Sequence, residues 1–201
     1  MSMTWEILNI IGTLAFAVSG AIIAMEEDYD ILGVHVLGFT TAFGGGTIRN
    51  LLIGSPIEEI WAQGELFIIA FIVNTIVFFL PNFLIEHWHR WGILFDAIGL
   101  SAFAIQGALV AVEIGSPLSA VIVAATLTGS GGGMIRDVFA GRKPMIFRAD
   151  IYALWAALAG LIIGLGFIQG PWMTGALFAL VITLRMLSVH YKWQLPRRTI
   201  T

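Results

Sequence analysis

The sequence predicts an all-α integral membrane protein with seven transmembrane helices. Of its 201 residues, 58% are hydrophobic and only 11% are charged, and the mean hydropathy is +0.91. A soluble globular domain carries about 25% charged residues. Seven apolar runs have roughly the 20 residues that cross a hydrocarbon core about 30 Å thick. The polar sequence between them is too short for a separate domain, so 1–201 is predicted to be a single transmembrane domain.

The N-terminal half contains three apolar runs, separated by charged loops. The first carries no charge between Glu6 and the acidic loop at 26–30. No basic segment precedes it, so we expect a mature helix rather than a cleaved signal. The third is uninterrupted to Leu80 and is followed by Pro81. The three predicted helices are Trp5–Met25, Gly33–Gly54 and Leu66–Ile85.

The C-terminal half contains four further apolar runs. The loop that precedes them, at 86–91, is rich in the aromatic residues that favour the water–lipid interface. A basic loop at 141–148 separates the second and third of these runs, and a tight turn at 169–171 precedes the last. The four predicted helices are Ile93–Val112, Leu118–Phe139, Asp150–Ile168 and Trp172–His190.

The positions of Lys and Arg predict the orientation. Seven spans place the two termini on opposite sides of the membrane. With the N-terminus outside, nine of the ten basic residues fall on the inner side, and only Arg49 falls in the outer half. Because cytoplasmic loops carry an excess of Lys and Arg, the C-terminus and the 141–148 loop are expected to be cytoplasmic.

An internal repeat divides the chain. Residues 12–54 align with 99–141 at a constant offset of 87 without a gap, and 17 of the 43 positions are identical. Each repeat unit has three helices, and an odd number reverses the membrane direction, so the halves are predicted to be inverted copies. Inverted repeats place functional sites at their interface near the membrane midplane. The plan is a first repeat at 5–86, an inverted second repeat at 93–169 and a seventh helix at 172–190.

Both copies of the repeat carry three consecutive glycines. Small residues allow close helix contact in lipid, so packing is one interpretation. The other is a break or kink in helices two and five, because each glycine costs about 1 kcal/mol in a helix relative to Ala. A break would free backbone carbonyls and amides that line a pathway. The pairing of the two triplets favours this second interpretation for Gly44, Gly45 and Gly46, and for Gly131, Gly132 and Gly133.

An arginine follows each triplet by one helical turn. An ionisable residue inside a membrane span is a candidate functional site. Arg49 and Arg136 are therefore candidate pore charges or gates, and the alternatives are a snorkelling side chain or an ion pair inside the protein. Asp137, Asp96 and the residues of an acidic loop are the possible partners, and Asp96 is equally compatible with a wet interfacial carboxylate or a contact for a passing cation.

The sequence offers no pattern for catalysis or for a cofactor. It has no cysteine, its four histidines lie at span ends, and the glycine triplets fit neither nucleotide-binding pattern. We therefore expect no metal, cofactor, enzymatic activity or nucleic-acid partner. On charge alone, two arginines beside a pathway favour an anion at least as well as a cation.

The twin Gly-Gly-Gly-x-Ile-Arg motifs, the three-plus-three-plus-one plan and the segment Arg-Ala-Asp-Ile-Tyr-Ala at 148–153 resemble the prokaryotic trimeric intracellular cation (TRIC) channels, formerly an uncharacterised (UPF0126) membrane-protein family. The resemblance extends from Trp5 to Val189. It implies a homotrimer among membrane lipids with a pore in each subunit, helices kinked at the triplets, and permeation of monovalent cations, K⁺ or Na⁺. A prokaryotic plasma membrane is the expected setting, and the calcium-store role and lipid ligand of animal members are not carried over.

Three functional hypotheses follow. The first is a K⁺ channel, and the second is a carrier for a small solute such as glycine, since inverted repeats and broken helices suit both. Positive half-helix ends and an arginine would suit the carboxylate of such a solute. A membrane scaffold without transport is a third possibility, but it leaves the paired glycine and arginine motifs unexplained.

Overall fold

The computed structural model describes residues 3–56, 58–80, 88–147 and 151–196, with 88–90 described by their backbone alone. Regular structure in these ranges is helical. Eight α-helices are present there, and one 3-10 turn, Met145–Phe147, follows the sixth. The helices are α1 Met3–Glu26, α2 Ile31–Ile53, α3 Glu58–Trp61, α4 Gly64–Phe78, α5 Trp88–Glu113, α6 Leu118–Phe139, α7 Ala153–Gly164 and α8 Gly170–His190.

The observed helices follow the predicted spans, with differences at the ends. Five of them, α1, α2, α5, α6 and α8, are long and apolar enough to cross a membrane. The third and sixth predicted spans correspond to shorter helices, α4 with 15 residues and α7 with 12. Parts of these two predictions, residues 81–85 and Asp150, lie outside the described residues. The predicted loop at 86–91 is wrong from Trp88 onward, because α5 already begins there.

Local sequence signals explain several helix ends. The carboxylate of Asp30 accepts a hydrogen bond from the Gly33 backbone N–H, 2.8 Å long, and so caps the start of α2. Gly54 ends α2 in the left-handed conformation, with φ +74°, which only glycine adopts without a steric penalty. Pro171 lies in the first turn of α8, where its missing N–H costs nothing.

Four helices form the centre of the protein. Helices α1, α2, α5 and α6 pack on one another, with α1 against α5 and α2 against α6. Helix α4 covers α1 and α2, while α7 covers α5 and α6, and α8 packs on α5 and α7. Large apolar side chains remain exposed on the outer helices, among them Ile68, Phe71 and Ile76 of α4. A water-soluble protein rarely exposes such a surface, and lipid is its natural surrounding.

Contacts between the central helices occur in pairs that are related by the 87-residue offset of the internal repeat. A Cβ added to Gly45 would lie 2.5 Å from the Thr128 carbonyl oxygen, and one added to Gly132 would overlap the Thr41 carbonyl oxygen. Since 45 + 87 is 132 and 41 + 87 is 128, each contact repeats the other with the helices exchanged. As residue numbers rise along α2 they fall along α6, so the two helices cross antiparallel at their glycine triplets.

Helices α1 and α5 show the same reciprocity. A Cβ on Gly12 would lie 2.8 Å from the Phe103 ring, and one on Gly99 would overlap the Phe16 ring. These two rings meet edge to face at a centroid distance of 5.3 Å. The glycines of this pair therefore accommodate aromatic rings, whereas Gly45 and Gly132 accommodate backbone.

The predicted breaks at the glycine triplets are wrong for this conformation. Helix α2 is continuous α-helix through Gly44–Gly46, and α6 is continuous through Gly131–Gly133. Close packing of the two backbones compensates for the low helix propensity of glycine, and an unbroken helix avoids unsatisfied backbone groups in lipid. The packing interpretation therefore describes Gly45, Gly131 and Gly132 here, and a role for the triplets in a pore stays a prediction.

The close crossing of α2 and α6 predicts opposite changes in stability for two glycine-to-alanine variants. Gly45→Ala should lower the thermal unfolding temperature in detergent, because overpacking costs roughly 1–3 kcal/mol. Gly175→Ala in α8 is the control, because a Cβ there meets nothing within 4 Å. It should raise the same temperature slightly, as Ala is favoured over Gly in a helix by about 1 kcal/mol. Equal stabilisation by both changes would contradict the close crossing.

Candidate functional site

Arg136 lies near the end of α6 and is almost completely buried, with 2% of its surface exposed. Its Nε and Nη2 atoms donate to Oδ1 of Asp137 over 2.9 and 2.8 Å. Its Nη1 donates to Oδ1 of Asp96, 2.9 Å away on α5, and to the Ser19 hydroxyl on α1. The guanidinium thus ties three central helices together. Asp137 is held in turn by the Met145 backbone N–H, which donates to its Oδ2 over 2.9 Å.

A second arginine lies beside this cluster. Arg185 of α8 is 1% exposed, and its guanidinium carbon lies 4.8 Å from the centroid of the Tyr152 ring. Its Nη1 donates to the Ile151 carbonyl oxygen over 3.3 Å. Arg185 borders the same cavity as Arg136, Asp96 and Asp137, so two guanidinium groups and two carboxylates offset one another in this part of the protein. Neutrality matters because an unpaired charge away from water is costly.

These groups border a cavity of about 260 Å³, which we call the Arg136 cavity. Its polar lining residues are Ser19, Glu26, Asp96, Arg136, Asp137, Arg142 and Arg185. Arg142 lies at its edge, in the loop after α6, and pairs with Glu26 at 2.8 Å and with Glu27 at the end of α1. Burial lowers the pKa of Arg142, but hydrogen bonds from the guanidinium to Glu26 and Glu27 outweigh it and raise that pKa above its usual value. The cavity edge therefore carries a permanently charged ion pair between the two halves.

Arg49 occupies the equivalent place in the other half and is 7% exposed. Its Nε and Nη2 donate to Oδ1 of Asn50 over 2.8 and 2.7 Å, the same two-pronged geometry that joins Arg136 to Asp137. Asn50 is fixed by donation from its Nδ2 to the Pro56 carbonyl oxygen over 3.0 Å. Here the partner is a neutral amide, so the guanidinium charge is not cancelled.

A second cavity, of about 30 Å³, lies next to this arginine, and we call it the Arg49 cavity. Its polar side chains come from α1, α2, α5, α6 and the segment after α3. They are Asn9, Thr13, Arg49, Gln63, Gln106 and Thr128. Arg49 and Arg136 each lie four residues beyond the crossing, about 6 Å along the helix at a rise of 1.5 Å per residue. Because α2 and α6 are antiparallel, the two cavities open on opposite sides of that crossing.

The sequence-predicted residues thus form two sites rather than one. Asp96, Arg136 and Asp137 come together, and the alternative of an ion pair inside the protein is confirmed for Arg136. Asp96 is not interfacial, since it is 1% exposed within α5. Arg49 lies apart from all three. The sites also contain residues that the sequence analysis did not select. Arg185 could have been selected, because it is an ionisable residue inside an apolar span. The others are Asn9, Thr13, Ser19, Gln63, Gln106, Thr128 and Tyr152.

Comparison with known proteins gives one consistent result. The family model described as Glycine transporter matches residues 6–82 and 93–168, which lie within the two predicted repeats, 5–86 and 93–169. The UPF0126 membrane protein YvgT of Bacillus subtilis (strain 168) is 60% identical over 197 residues, covering 98% of both chains. The chain belongs to the UPF0126 family of prokaryotic TRIC channels.

Solved structures of the TRIC family share this fold. One, from work on conductance through TRIC cation channels, is 35% identical, with a TM-score of 0.85 over 98% of both chains. The TRIC trimeric intracellular cation channel orthologue from Rhodobacter sphaeroides is 30% identical, with the same TM-score over 95% of this chain and all of that one. The resemblance drawn from the twin motifs is therefore confirmed, and the chain is a helical membrane protein of the TRIC fold.

Removal of the buried Arg136 guanidinium should destabilise the protein far more than removal of the partly exposed Arg142 guanidinium. Arg136→Gln removes the guanidinium that pairs directly with Asp96 and Asp137, and breaking a buried pair costs about 3–5 kcal/mol. Arg142→Gln is the matched control, because pairs near the surface contribute about 0–1 kcal/mol. Thermal unfolding in detergent compares the two. Similar losses in both variants would mean that the Arg136 cluster contributes no more than a surface ion pair.

Proposed function

We propose that the protein is a monovalent cation channel, selective for K⁺, with a pore in each subunit between α2 and α6. The observation that carries this proposal is the likeness to TRIC cation channels over nearly the whole chain, at 35% identity and a TM-score of 0.85. The two cavities, one on each side of the α2–α6 crossing, support it, because space lined by polar side chains on both sides leaves only a short barrier between them.

The proposed architecture has seven spans in two inverted repeats plus one helix. The first repeat, 5–86, supplies α1, α2 and α4, the second, 93–169, supplies α5, α6 and α7, and 172–190 supplies the last span. The reciprocal glycine contacts support a pseudo-two-fold axis between the halves, since each contact has a partner with the helices exchanged. The short helices α4 and α7 are the third span of each repeat.

The present arrangement corresponds to a closed pore. The backbones of α2 and α6 are in contact at Gly45 and Gly132, which leaves no space for an ion. A fixed positive charge 4 Å from a cation adds about 4 kcal/mol of repulsion at an effective dielectric near 20. Opening therefore requires separation of the triplets, and glycine is suited to this because only backbone has to move. Separation is also the step at which carbonyls of Gly44–Gly46 or Gly131–Gly133 become available to a cation.

A homotrimer in a prokaryotic plasma membrane is the proposed assembly. The Rhodobacter sphaeroides relative is described as a trimeric intracellular cation channel, and this chain matches 95% of its own length to it. The exposed apolar side chains of α2, α4 and α8 offer surface for subunits and for lipid. Within the membrane, the distribution of basic residues places the N-terminus outside.

A carrier for glycine is the second candidate, favoured by two observations. The family model that matches both repeats is described as Glycine transporter. In addition, Arg49 has an amide partner rather than a carboxylate, and a guanidinium is a good ligand for a substrate carboxylate. A carrier would show saturable glycine counterflow, whereas a channel would show unitary currents.

The two candidates predict different results for one variant. For a channel, Arg49→Gln should raise K⁺ conductance or open probability, because a positive charge beside the path is removed without much change in bulk. For a carrier, the same change should abolish glycine uptake. Planar-bilayer recording and glycine counterflow on the same reconstituted preparation measure both. Glycine counterflow without unitary K⁺ currents in the parent protein would refute the channel.

Orientation can be tested separately, because the chain has no cysteine. Lys143→Cys, in the basic loop after α6, should resist a membrane-impermeant thiol reagent applied to intact cells. Glu113→Cys, at the exposed end of α5, should react from outside. Labelling of both after cell lysis controls for accessibility. The reverse pattern in intact cells would invert the proposed topology.

A further inference from the structure

Arg49 is a buried cation without a buried counter-charge. Its hydrogen bonds go to the amide oxygen of Asn50, and among the described residues no carboxylate lies within ion-pairing distance of it. Glu59, on the surface helix α3, attracts it from farther away. Removing an ion from water is expensive unless it is paired and hydrogen-bonded. The protein therefore holds a net positive charge at this site.

The other half of the protein shows what is missing. The repeat offset of 87 relates Arg49 to Arg136, Asn50 to Asp137 and Asn9 to Asp96. Both carboxylates that neutralise Arg136 are thus amides around Arg49. The two-pronged contact to residue 50 or 137 is the same in both halves, so the geometry is kept while two negative charges are lost.

The Arg49 cavity contains further groups that can donate to an anion. Thr13 is 1% exposed, lines the cavity, and its hydroxyl has no hydrogen-bond partner among the described residues. The amides of Asn9, Gln63 and Gln106 also line it, and Nδ2 of Asn9 donates to Oε1 of Gln63 over 2.9 Å. Apart from Arg49, the lining side chains are uncharged. One guanidinium surrounded by neutral donors favours a negative ligand.

The size of the cavity admits a small ligand. Its volume of about 30 Å³ exceeds the roughly 10–15 Å³ that a cavity needs to hold one water molecule, so it has room for a monatomic anion. The Arg136 cavity is much larger, at about 260 Å³, but its arginine is already neutralised.

We propose that the Arg49 cavity binds a small monovalent anion of the halide class, which replaces the carboxylates that the second half supplies. The anion accepts hydrogen bonds from the Arg49 guanidinium and from the Thr13 hydroxyl. It also cancels the positive charge on one side of the α2–α6 crossing, and so lowers the barrier to a cation. The anion site itself does not depend on the proposed channel function.

Bromide is the probe for a direct test. The trimer or monomer obtained in detergent is crystallised in potassium bromide, and the anomalous signal should place a bromide beside Arg49 and Thr13. In solution, the unfolding temperature should rise with the logarithm of bromide concentration when bromide replaces gluconate at constant K⁺, as expected for a ligand of the folded state. No anomalous peak beside Arg49 together with equal unfolding temperatures in both salts would overturn the proposal.

Asn9→Asp is the decisive variant, because it restores the carboxylate found at Asp96. Gln63 can reverse its amide to donate to the new carboxylate, which exchanges its hydrogen bond to the Glu59 carbonyl oxygen for one to a charged acceptor next to Arg49. The bromide-dependent shift should then vanish, and the unfolding temperature in gluconate should equal or exceed that of the parent protein in gluconate. Gln169→Glu, an exposed change of the same charge, is the control and should keep the full shift.

Two other readouts complete the test. A bromide-dependent shift that survives in Asn9→Asp would mean that the halide binds elsewhere, and the proposal would fail. If Asn9→Asp does not fold, the proposal is tested by the parent protein alone, in which an anomalous bromide peak beside Arg49 supports it and the absence of that peak refutes it. Acetate and glycine in place of bromide separate the anion classes, since stabilisation by glycine but not by bromide would assign the cavity to a carboxylate substrate. K⁺ currents recorded in gluconate report on the channel alone.

Discussion

Backbone contact between α2 and α6 at Gly45 and Gly132 is the constraint on which the rest of this structure depends. Only a residue without a side chain lets the carbonyl oxygens of Thr41 and Thr128 come so close to the opposite helix. The antiparallel crossing then sends the ends of the two helices in opposite directions. Each end carries its arginine to a separate cavity, so one contact determines the positions of both charged sites.

Charge compensation distinguishes the two sites that the crossing separates. An arginine far from water needs a partner, and Arg136 has two carboxylates while Arg49 has an amide. Both halves keep the hydrogen-bond geometry between the arginine and the side chain that follows it. The halves differ in the charge of that following side chain and of one residue on the adjacent helix, which is Asn9 in the first half and Asp96 in the second. Two halves with matching helix contacts therefore differ in the charge around their arginines.

The family description and the solved structures suggest different kinds of transport. The family model is described as Glycine transporter, whereas the structures that match nearly the whole chain are TRIC cation channels. A shared fold does not decide between them, because function resides in the site. In this protein the relevant difference lies at Arg49. An uncompensated guanidinium next to a small cavity lined by neutral polar side chains suits an anionic group better than a cation.

Composition and repetition in the sequence determined the class of the protein. Hydropathy identified the five helices that are long and apolar enough to cross a membrane, and the bounds of α6 agree residue for residue because Pro117 and the basic loop mark its ends locally. The twin motifs identified the family and pointed to both arginines. The sequence could not select Asp96 as a partner of Arg136 from among several alternatives. The two residues are 40 positions apart, and only folding brings their helices together. The unbroken helices were not predictable either. Glycine disfavours a helix by about 1 kcal/mol per residue, and only the tertiary contact between two such stretches, closed to water and lipid, outweighs that preference.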